Sequence, residues 1–564
     1  MTQSNPGRPQ LSDHLFVLGA WVIACLVLFV SLGAAPLTDL DEGAFSEATR
    51  EMMARGDWIS PWLLDAPRFD KPVLIHWLQM AAFSVTGFSS YGARLPSALM
   101  GLIWIGGISG WAYLVASRVA PTAKVKAYGW AVLISATSLG IPAMSRAATA
   151  DATLNAFLIL SLLLFWRALW PEKESETGRL WIRLAAVCVG LGLLTKGPIA
   201  ILVPGAASLL AVLTCNRFRR WLKVAFDPLA WFIVLIIAAP WYLLQFQAQG
   251  MAFVEGFLGL HNLGRFTSTM HGFSAGPLYY PAWILIATLP WTLPILGAVF
   301  GAMGSSQTAQ LLRSVEVRLA WFVLVFVLVF FSFSATKLPH YGFYGLSGLV
   351  VIVSLWLAAG PLNRSSTHRV FILLTLLASA LVVTSTPLWF VAVTKAVTDP
   401  YYQLVLADVG IRLQSKELLF AALTCSGAAG FVIGFGRFRG GVAMLTLTTA
   451  VAAYGVIVPT IMQSLREPIA LMAQFIRDQT DNQKVRQTNG QPTAKPNRII
   501  TWRLTAPSLS FAAQRVIAAD SPLVGDWVAL PTHLIAKLPN QDTTIAQVLF
   551  EKTGISLIEI RAKP

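Results

Sequence analysis

Charge and cysteine are both scarce in this chain. Only 12% of its 564 residues are charged, about half of the roughly one-quarter found in soluble domains, so a molecule surrounded by water on all sides is excluded. The four cysteines, Cys25, Cys188, Cys215 and Cys425, each lie within or at the end of an apolar run, with no CxxC pair and no His/Cys cluster. Neither a disulfide framework nor a zinc site is signalled, and buried small hydrophobes are the simpler reading. Acidic residues are the rarer charge: 27 Asp and Glu stand against 42 Lys and Arg, for a net +15. The basic excess sits in short loops between apolar runs, as an orientation signal of membrane proteins does, which argues against a nucleic-acid partner.

Apolar and aromatic residues are abundant. The chain is 55% hydrophobic with 20 Trp and 32 Phe, and its mean hydropathy is +0.63. Apolar runs of about 18 or more residues alternate with short polar turns, the pattern of bundled membrane helices rather than barrel strands. About thirteen spans follow from the length criterion: 15–35, 95–117, 127–145, 151–170, 183–195, 198–214, 228–246, 278–303, 319–336, 341–359, 370–393, 417–436 and 442–462. The run from Leu15 to Leu37 exceeds the apolar stretch of a cleavable signal peptide and has only Arg8 before it, so it reads as a retained signal anchor.

Basic residues give the orientation. Arg118, Lys124 and Lys126, then Arg217, Arg219, Arg220 and Lys223, then Arg313 and Arg318, Arg364 and Arg369, and Arg437 and Arg439 fall on one side, which the positive-inside tendency makes cytoplasmic. The N-terminus is then cytoplasmic, and an odd span count puts the C-terminus outside. Residues 1–462 form the membrane domain. Its first outer loop, 36–94, is long enough to hold two interfacial helices, one in GAFSEATREMMARG with Gly56 as its C-cap and one in PVLIHWLQMAAFSVTG. Residues 463–564 are polar, with a linker over QTDNQKVRQTNGQPTAKPN and then strand-like RIITWRL, WVALP and SLIEI beside a helical SLSFAAQRVIAA. They read as a small extracytoplasmic α/β domain.

The polar residues of interest share the outer side. Asp39, Asp41 and Glu42 follow the first span in LTDLDEGAF. Asp39 and Glu42 have capping-box spacing and Asp41 can itself be an N-cap, so helix capping and catalysis both remain open for this trio. RFDKP supplies Asp70 and Lys71, with Pro72 favouring an extended Lys71. Asp151 in TADAT, Lys196 in LLTKGP and Lys337 in SATKLPHY stand at span ends, where an ionisable group marks either function or snorkelling to the interface. A further outer loop, 247–277, carries His261, Arg265 and His271. With Tyr341, these carboxylates and cations suit a reaction on a phosphate-bearing lipid: Lys and Arg hold phosphate, and a carboxylate orients or deprotonates an acceptor. Asp39, Asp41 and Glu42 also offer oxygen donors of the kind a divalent cation takes. Their spacing is not diagnostic, and no cofactor is firmly implied.

The order LDEGAFSEATREMMARGDWISPWL, FDKP, YGARLPSAL, ADATLNAF, LLTKGP and KLPHY resembles the bacterial branch of the protein O-mannosyltransferase superfamily. It is most similar to the 4-amino-4-deoxy-L-arabinose lipid A transferases over residues 15–460. The resemblance implies a GT-C fold with thirteen spans and an outer C-terminal domain in a bacterial inner membrane. It implies an inverting glycosyltransferase with a polyprenyl-phosphate sugar donor and an envelope acceptor such as lipid A, another glycolipid or a protein. By motif position it implies catalytic roles for Asp41, with Glu42 beside it, and Asp151. It implies donor-phosphate contacts for Lys71, Arg265 and Tyr341, with Lys337 and Lys196 as further basic groups. Asp70 and His340 complete the cavity residues. This chain departs from those transferases where it has LDE and FDKP, which bears on the sugar and acceptor more than on the reaction class. The rival classes are a lipid-linked sugar transporter or flippase, which calls for charge on both sides of the midplane or an inverted repeat, and a non-catalytic assembly factor whose carboxylates only cap helices.

Overall fold

The computed structural model describes residues 10–172, 178–268, 276–359, 366–394, 397–488, 498–539 and 542–563. Among them, eight helices are long and apolar enough to cross a membrane: Leu11–Phe29, Ser90–Val119, Asp151–Leu169, Pro228–Gln249, Pro339–Ala359, Ser366–Thr384, Glu417–Gly436 and Phe438–Asp481. Ile199–Leu213, Thr292–Met303 and Arg318–Ser332 are shorter apolar helices. The chain is a multi-pass membrane protein.

Every expected span falls on a helix, but several are broken or short. The span expected over 127–145 divides into Lys124–Thr137 and Gly140–Ser145, and that over 278–303 into Tyr279–Ala287 and Thr292–Met303. The two breaks face each other. Leu139 N donates to Leu289 O at 2.8 Å and Trp291 Nε1 to Thr137 Oγ1 at 2.9 Å, so the interrupted ladders are satisfied inside the protein, as apolar surroundings demand.

The basic loops gather at one end of the bundle. Arg217 and Arg220 donate to the carbonyls of Leu169 and Ala168, and Arg118 to Trp170, supplying partners to the last turn of the Asp151–Leu169 helix. That helix starts at Asp151 and the next, Arg179–Lys196, returns to finish at Lys196. Both site residues therefore stand at the end opposite the basic loops. Arg364 lies outside the described residues.

The segment between the first two long spans folds as a scaffold. Helix Glu42–Arg55 ends at Gly56, whose φ of 66° is the left-handed C-cap expected there. Two short antiparallel strands, Trp62–Leu63 and Ala66–Pro67, follow, joined by Leu64 and Asp65, both at positive φ. A two-residue turn of this hand is costly for these residue types. Glu51 holds it, its Oε1 accepting from Leu64 N at 2.6 Å and its Oε2 from Asp65 N at 3.1 Å, while Arg55 pairs with Asp65. The turn aims the chain directly into Arg68–Lys71.

Helix Glu42–Arg55 does not lie at an interface with its charges outward. Glu47, Arg50 and Glu51 are all buried, because Arg50 grips Glu47 through two bonds of 2.7 Å and Glu51 is spent on the turn. The reason is the C-terminal layer, which covers this helix. A Cβ on Gly43 would stand 2.7 Å from Ser508 N, so only glycine allows the approach.

That layer has a four-stranded sheet in the order Ile499–Thr501, Trp527–Pro531, Ile555–Ala562, Thr544–Lys552. The first pair is parallel and the others antiparallel. Thr544–Lys552 was not among the expected strands. Met472 and Ile476 pack against Leu509 and Leu557, so the sheet rests on a helix that runs unbroken from the membrane through Asp481. The expected boundary at 462 thus falls inside one continuous helix. The first part of the expected linker continues that helix to Thr488, and residues 489–497 lie outside the described residues.

Candidate active site

Three acidic residues follow the first span, and the structure gives them three different environments. Asp39 is buried and turns to the C-terminal layer: Oδ2 pairs with Arg466 at 2.5 Å and Oδ1 accepts from Ser508 N at 3.0 Å. Glu42 is buried and saturated. Arg94 donates to it at 2.7 and 2.8 Å, Thr38 through N and Oγ1 at 2.9 and 3.0 Å, and Ala148 N at 2.9 Å. The catalytic position expected for Glu42 is corrected accordingly: its carboxylate has no free direction, and it ties the loop to Arg94 and the Asp151 turn. Burial presses its pKa up, but Arg94 and the hydrogen bonds outweigh that and hold it below the ordinary value.

Asp41 is left over. It occupies the N-cap position of helix Glu42–Arg55, yet its side chain makes no capping hydrogen bond. It is exposed, and its carboxylate has no hydrogen-bond or ion-pair partner among the described residues. Asp151, Lys196, Arg68 and Lys71 are within electrostatic range. Desolvation by the surrounding protein and the like charge of Asp151 raise its pKa above the usual carboxylate value. The trio therefore does not converge on a cation site: two of its members face arginines. No group of three or more His, Cys, Asp or Glu is placed to hold a metal among the described residues.

The basic residues divide in the same way. Lys196 Nζ bonds Asp151 Oδ1 at 2.5 Å and lies over the rings of Tyr341 and Tyr344 at 5.9 and 5.7 Å. Asp151 also accepts from Thr149 Oγ1 at 3.3 Å. Lys337 is buried with Nζ donating to the carbonyls of Phe331, Ser332 and Ser334 at 3.3, 2.5 and 2.6 Å. It closes the end of the Arg318–Ser332 helix, so the phosphate contact expected of it is corrected: its three donors are already spent. Lys337→Met is expected to lower stability by about 1–3 kcal/mol, the cost of leaving buried acceptors bare. Unfolding in detergent checks this, and donor affinity in the same variant stays at the wild-type value.

Lys71 and Arg265 have capacity left. Lys71 Nζ donates to its neighbour's carbonyl, Asp70 O, at 2.9 Å, and the Asp70 carboxylate is 3.8 Å away. Burial pushes its pKa down to about 7, with Lys196, Arg265 and Arg68 adding to the effect and Asp70 opposing it. Arg265 follows a π-helical segment, Glu255–Gly264, a distortion frequent at functional sites. Its backbone carbonyl accepts from Thr336 N and Ser334 Oγ, while its guanidinium has no partner among the described residues. His261, in the same segment, has its pKa pushed down to about 4, first by burial and then by Arg265 and Lys71, so it is neutral at pH 7. His271 lies outside the described residues. His340 and Tyr341 sit on the turn Pro339–Gly345 with ring centroids 4.7 Å apart, and His340 Nε2 is buried without a partner. Asp151 is within electrostatic range of His340, Lys196 and Lys71, which joins the two halves of the site.

Sequence reading missed Arg68 and Arg94. Arg68 Nε and Nη2 hold Asp70 at 2.6 and 2.9 Å, so Asp70 is a brace rather than a free carboxylate. Burial opposes ionisation of Asp70, but Arg68 and Lys71 outweigh it and keep its pKa well below the carboxylate range. Arg68 was visible two positions before Asp70 in RFDKP. Arg94, buried inside YGARLPSAL, had no such signal.

Comparison with known proteins places the chain among several likenesses. Residues 70–243 match the sequence profile of the family described as dolichyl-phosphate-mannose-protein mannosyltransferase. An undecaprenyl phosphate-alpha-4-amino-4-deoxy-L-arabinose arabinosyl transferase of Pectobacterium atrosepticum is 26% identical over 355 residues, 62% of this chain and 60% of that protein. Its counterpart 1 in Proteus mirabilis is 27% identical over 56% of this chain and 54% of its own length. The chain thus aligns with little more than half the length of these relatives. The crystal structure of ArnT from Cupriavidus metallidurans bound to undecaprenyl phosphate superposes with a TM-score of 0.74 over 97% of both chains, at 20% identity. The fold is GT-C, and the chain resembles the aminoarabinose transferases.

Proposed function

We propose that this protein is an inverting glycosyltransferase that moves a sugar from a polyprenyl-phosphate carrier to an acceptor on the extracytoplasmic side of a bacterial inner membrane. The observation that carries this reading is the division of charge: Asp41 is the one uncommitted member of its acidic trio, and it stands beside Lys71, while Arg265 and Lys71 retain donors for a phosphate. The similarity to arabinosyl transferases favours 4-amino-4-deoxy-L-arabinose on undecaprenyl phosphate as donor, and lipid A or another envelope glycolipid or protein as acceptor. The same end of the bundle then faces the periplasm, with the basic loops and the N-terminus in the cytoplasm. The C-terminal layer covers the loop that carries Asp41 on the periplasmic side.

In this mechanism the acceptor oxygen attacks the anomeric carbon. The bond from that carbon to the phosphate oxygen breaks, and its electron pair leaves with the carrier phosphate. Lys71, Arg265 and the Tyr341 hydroxyl bind the phosphate and stabilise its second negative charge, so they act more strongly on the transition state than on the donor. A hydroxyl acceptor gives its proton to Asp41, whose raised pKa suits a base. A phosphate acceptor has no proton to give, and Asp41 then holds the ammonium of the amino sugar. Lys196 holds the Asp151 carboxylate in place.

The carrier tail has a matching surface. An apolar cavity of about 310 Å³ lies between helices Arg179–Lys196, Ile199–Leu213 and Pro228–Gln249, lined by Val189, Ile201, Leu202, Gly205 and Trp231 among others. Its lining runs from Ile201, just past the Lys196–Pro198 corner, to Trp221, Ala225 and Phe226 beside the basic loop, so a tail held there extends towards the opposite end of the bundle. A Cβ at Gly205 meets nothing within 4 Å. Gly205→Trp is therefore expected to fill the cavity without strain and to raise the donor KM about tenfold, or about 1.4 kcal/mol, with acceptor KM unchanged. Steady-state kinetics with each substrate varied in turn checks this.

Lys71 gives a pH signature. With its pKa near 7, Lys71 is charged below that value and loses its proton above it. Donor affinity is expected to weaken from about pH 6 to about pH 9, and Lys71→Gln to be weak and flat over the same range. Titrations of donor binding at several pH values decide it.

The reading as a whole is tested with purified protein, undecaprenyl phosphate-linked aminoarabinose and lipid A, with product mass as readout. Envelope lipids and glycans from cells with and without the protein identify the acceptor. Movement of the intact donor across a bilayer without transfer would replace this reading with that of a flippase.

A further inference from the structure

Four cations of the site can be set aside or counted by what they already hold. Lys337 is consumed by backbone carbonyls and Lys196 by Asp151. Lys71 and Arg265 were assigned above. Arg68 is the remaining one, and its guanidinium is only partly used. Nε and Nη2 form a fork with the two oxygens of Asp70. The plane lies 4.7 Å over the ring of Phe45, which fixes its orientation at little entropic cost. Nη1 is buried and has no hydrogen-bond partner among the described residues. A buried guanidinium nitrogen without a partner is costly, and here the side chain is locked on its other two nitrogens and cannot turn to find one. Arg68 is also within electrostatic range of Asp41, Lys71 and His261, and so lies close to the site's charged groups.

We propose that Arg68 is a third phosphate ligand, with Nη1 donating to a phosphate oxygen of a bound substrate while Nε and Nη2 stay on Asp70. The fork sets the direction of the free nitrogen, as a carboxylate behind a ligating group does. Two substrates can supply that oxygen: the carrier phosphate, or a phosphate borne by the acceptor. The proposal rests on the glycosyltransferase reading above and adds to it a residue that no motif position assigned.

The test uses the full-length protein in detergent with farnesyl phosphate as a carrier probe and lipid A as a phosphate-bearing acceptor. Arg68→Gln is expected to weaken farnesyl phosphate binding at least about tenfold if the carrier supplies the oxygen. If the acceptor supplies it, farnesyl phosphate binding is unchanged and the lipid A KM rises by a similar factor. Absence of both changes overturns the proposal. Asp70→Asn separates direct contact from bracing, since it removes the carboxylate charge and leaves the guanidinium in place. A loss equal to that of Arg68→Gln would mean that Arg68 acts only through Asp70, and would also overturn it. Should Arg68→Gln not fold, Arg68→Lys serves, because one ammonium cannot replace both the fork and the free nitrogen; an unaltered farnesyl phosphate affinity together with an unaltered lipid A KM there counts against the contact. Failure of the wild-type protein to bind farnesyl phosphate overturns the functional reading and this inference together, whereas farnesyl phosphate affinity and lipid A KM that are both alike in wild type and variants overturn this inference alone.

Discussion

Asp41→Asn is expected to abolish transfer while leaving the protein folded. A positioned acid or base contributes about 10²–10⁴-fold, and Asn keeps the shape while removing both the proton acceptor and the charge. For a hydroxyl acceptor the expected fall in kcat therefore spans that range with little change in donor affinity, whereas for a phosphate acceptor donor affinity falls as well, because the ammonium loses its partner. Stability moves the other way. Asp41 is exposed, and its side chain forms no capping bond, so its replacement deletes nothing from the folded state. Its raised pKa means that the ionised form is disfavoured where it stands, beside Asp151. The variant is expected to unfold at the wild-type temperature or slightly above, the pattern of a site that trades stability for function. The checks are a transfer assay and thermal unfolding on the same preparation. Transfer within threefold of wild type would remove Asp41 from the mechanism.

The membrane architecture was legible because lipid imposes one simple demand, a long apolar helix with its backbone bonded internally. The clustering of Asp41, Lys71, Asp151, Lys196 and Arg265 was legible because their motifs fell on one side of the helices. The fates of individual charges were not. Asp39, Asp41 and Glu42 are chemically alike and nearly adjacent, and what separates them is who reaches them: Arg466 comes from a helix more than four hundred positions later, Arg94 from the next span, and none of the described residues reaches the Asp41 side chain. No local pattern holds that information. Capping was a sound local expectation for Asp41, but Glu42 binds Thr38 instead and the N-cap side chain is left free. Lys337 is a different case. A lysine a few residues beyond an apolar helix is a ready partner for that helix's last carbonyls, so its role was open to inference from spacing, and the pull of the neighbouring KLPHY motif hid it. The strand Thr544–Lys552 has no fully buried residue and leaves Ile545 and Val548 exposed, so it lacks the alternation that marked its partner Ile555–Ala562.

The largest stability effect is expected at Arg94. It reads the entry to the site from five directions: Nη1 donates to Leu32 O and Ala35 O, Nη2 to Pro36 O, and Nε and Nη2 to the Glu42 carboxylate. These bonds fix the chain between the first span and the residue before helix Glu42–Arg55, and Asp41 lies inside that stretch. Arg94→Met leaves Glu42 buried without its cation and strips three carbonyls at once. Breaking one side of a buried pair costs about 3–5 kcal/mol, so the variant is expected to be barely stable in detergent and to lose activity because Asp41 is no longer held. Adding Glu42→Gln removes the stranded charge but not the stripped carbonyls, so the double variant should recover part of the stability and little of the activity. The pH dependence has a definite sign. Glu42 has a lowered pKa in the folded protein, so its contribution is present above the unfolded value of about 4 and is lost as the pH falls through the folded one. Unfolding midpoints of the two single variants and the double variant, measured against wild type, give the coupling. A loss below about 1 kcal/mol for Arg94→Met, the size of an ordinary exposed pair, would mean that the loop is held by the C-terminal layer through Asp39 rather than by the Arg94 clamp.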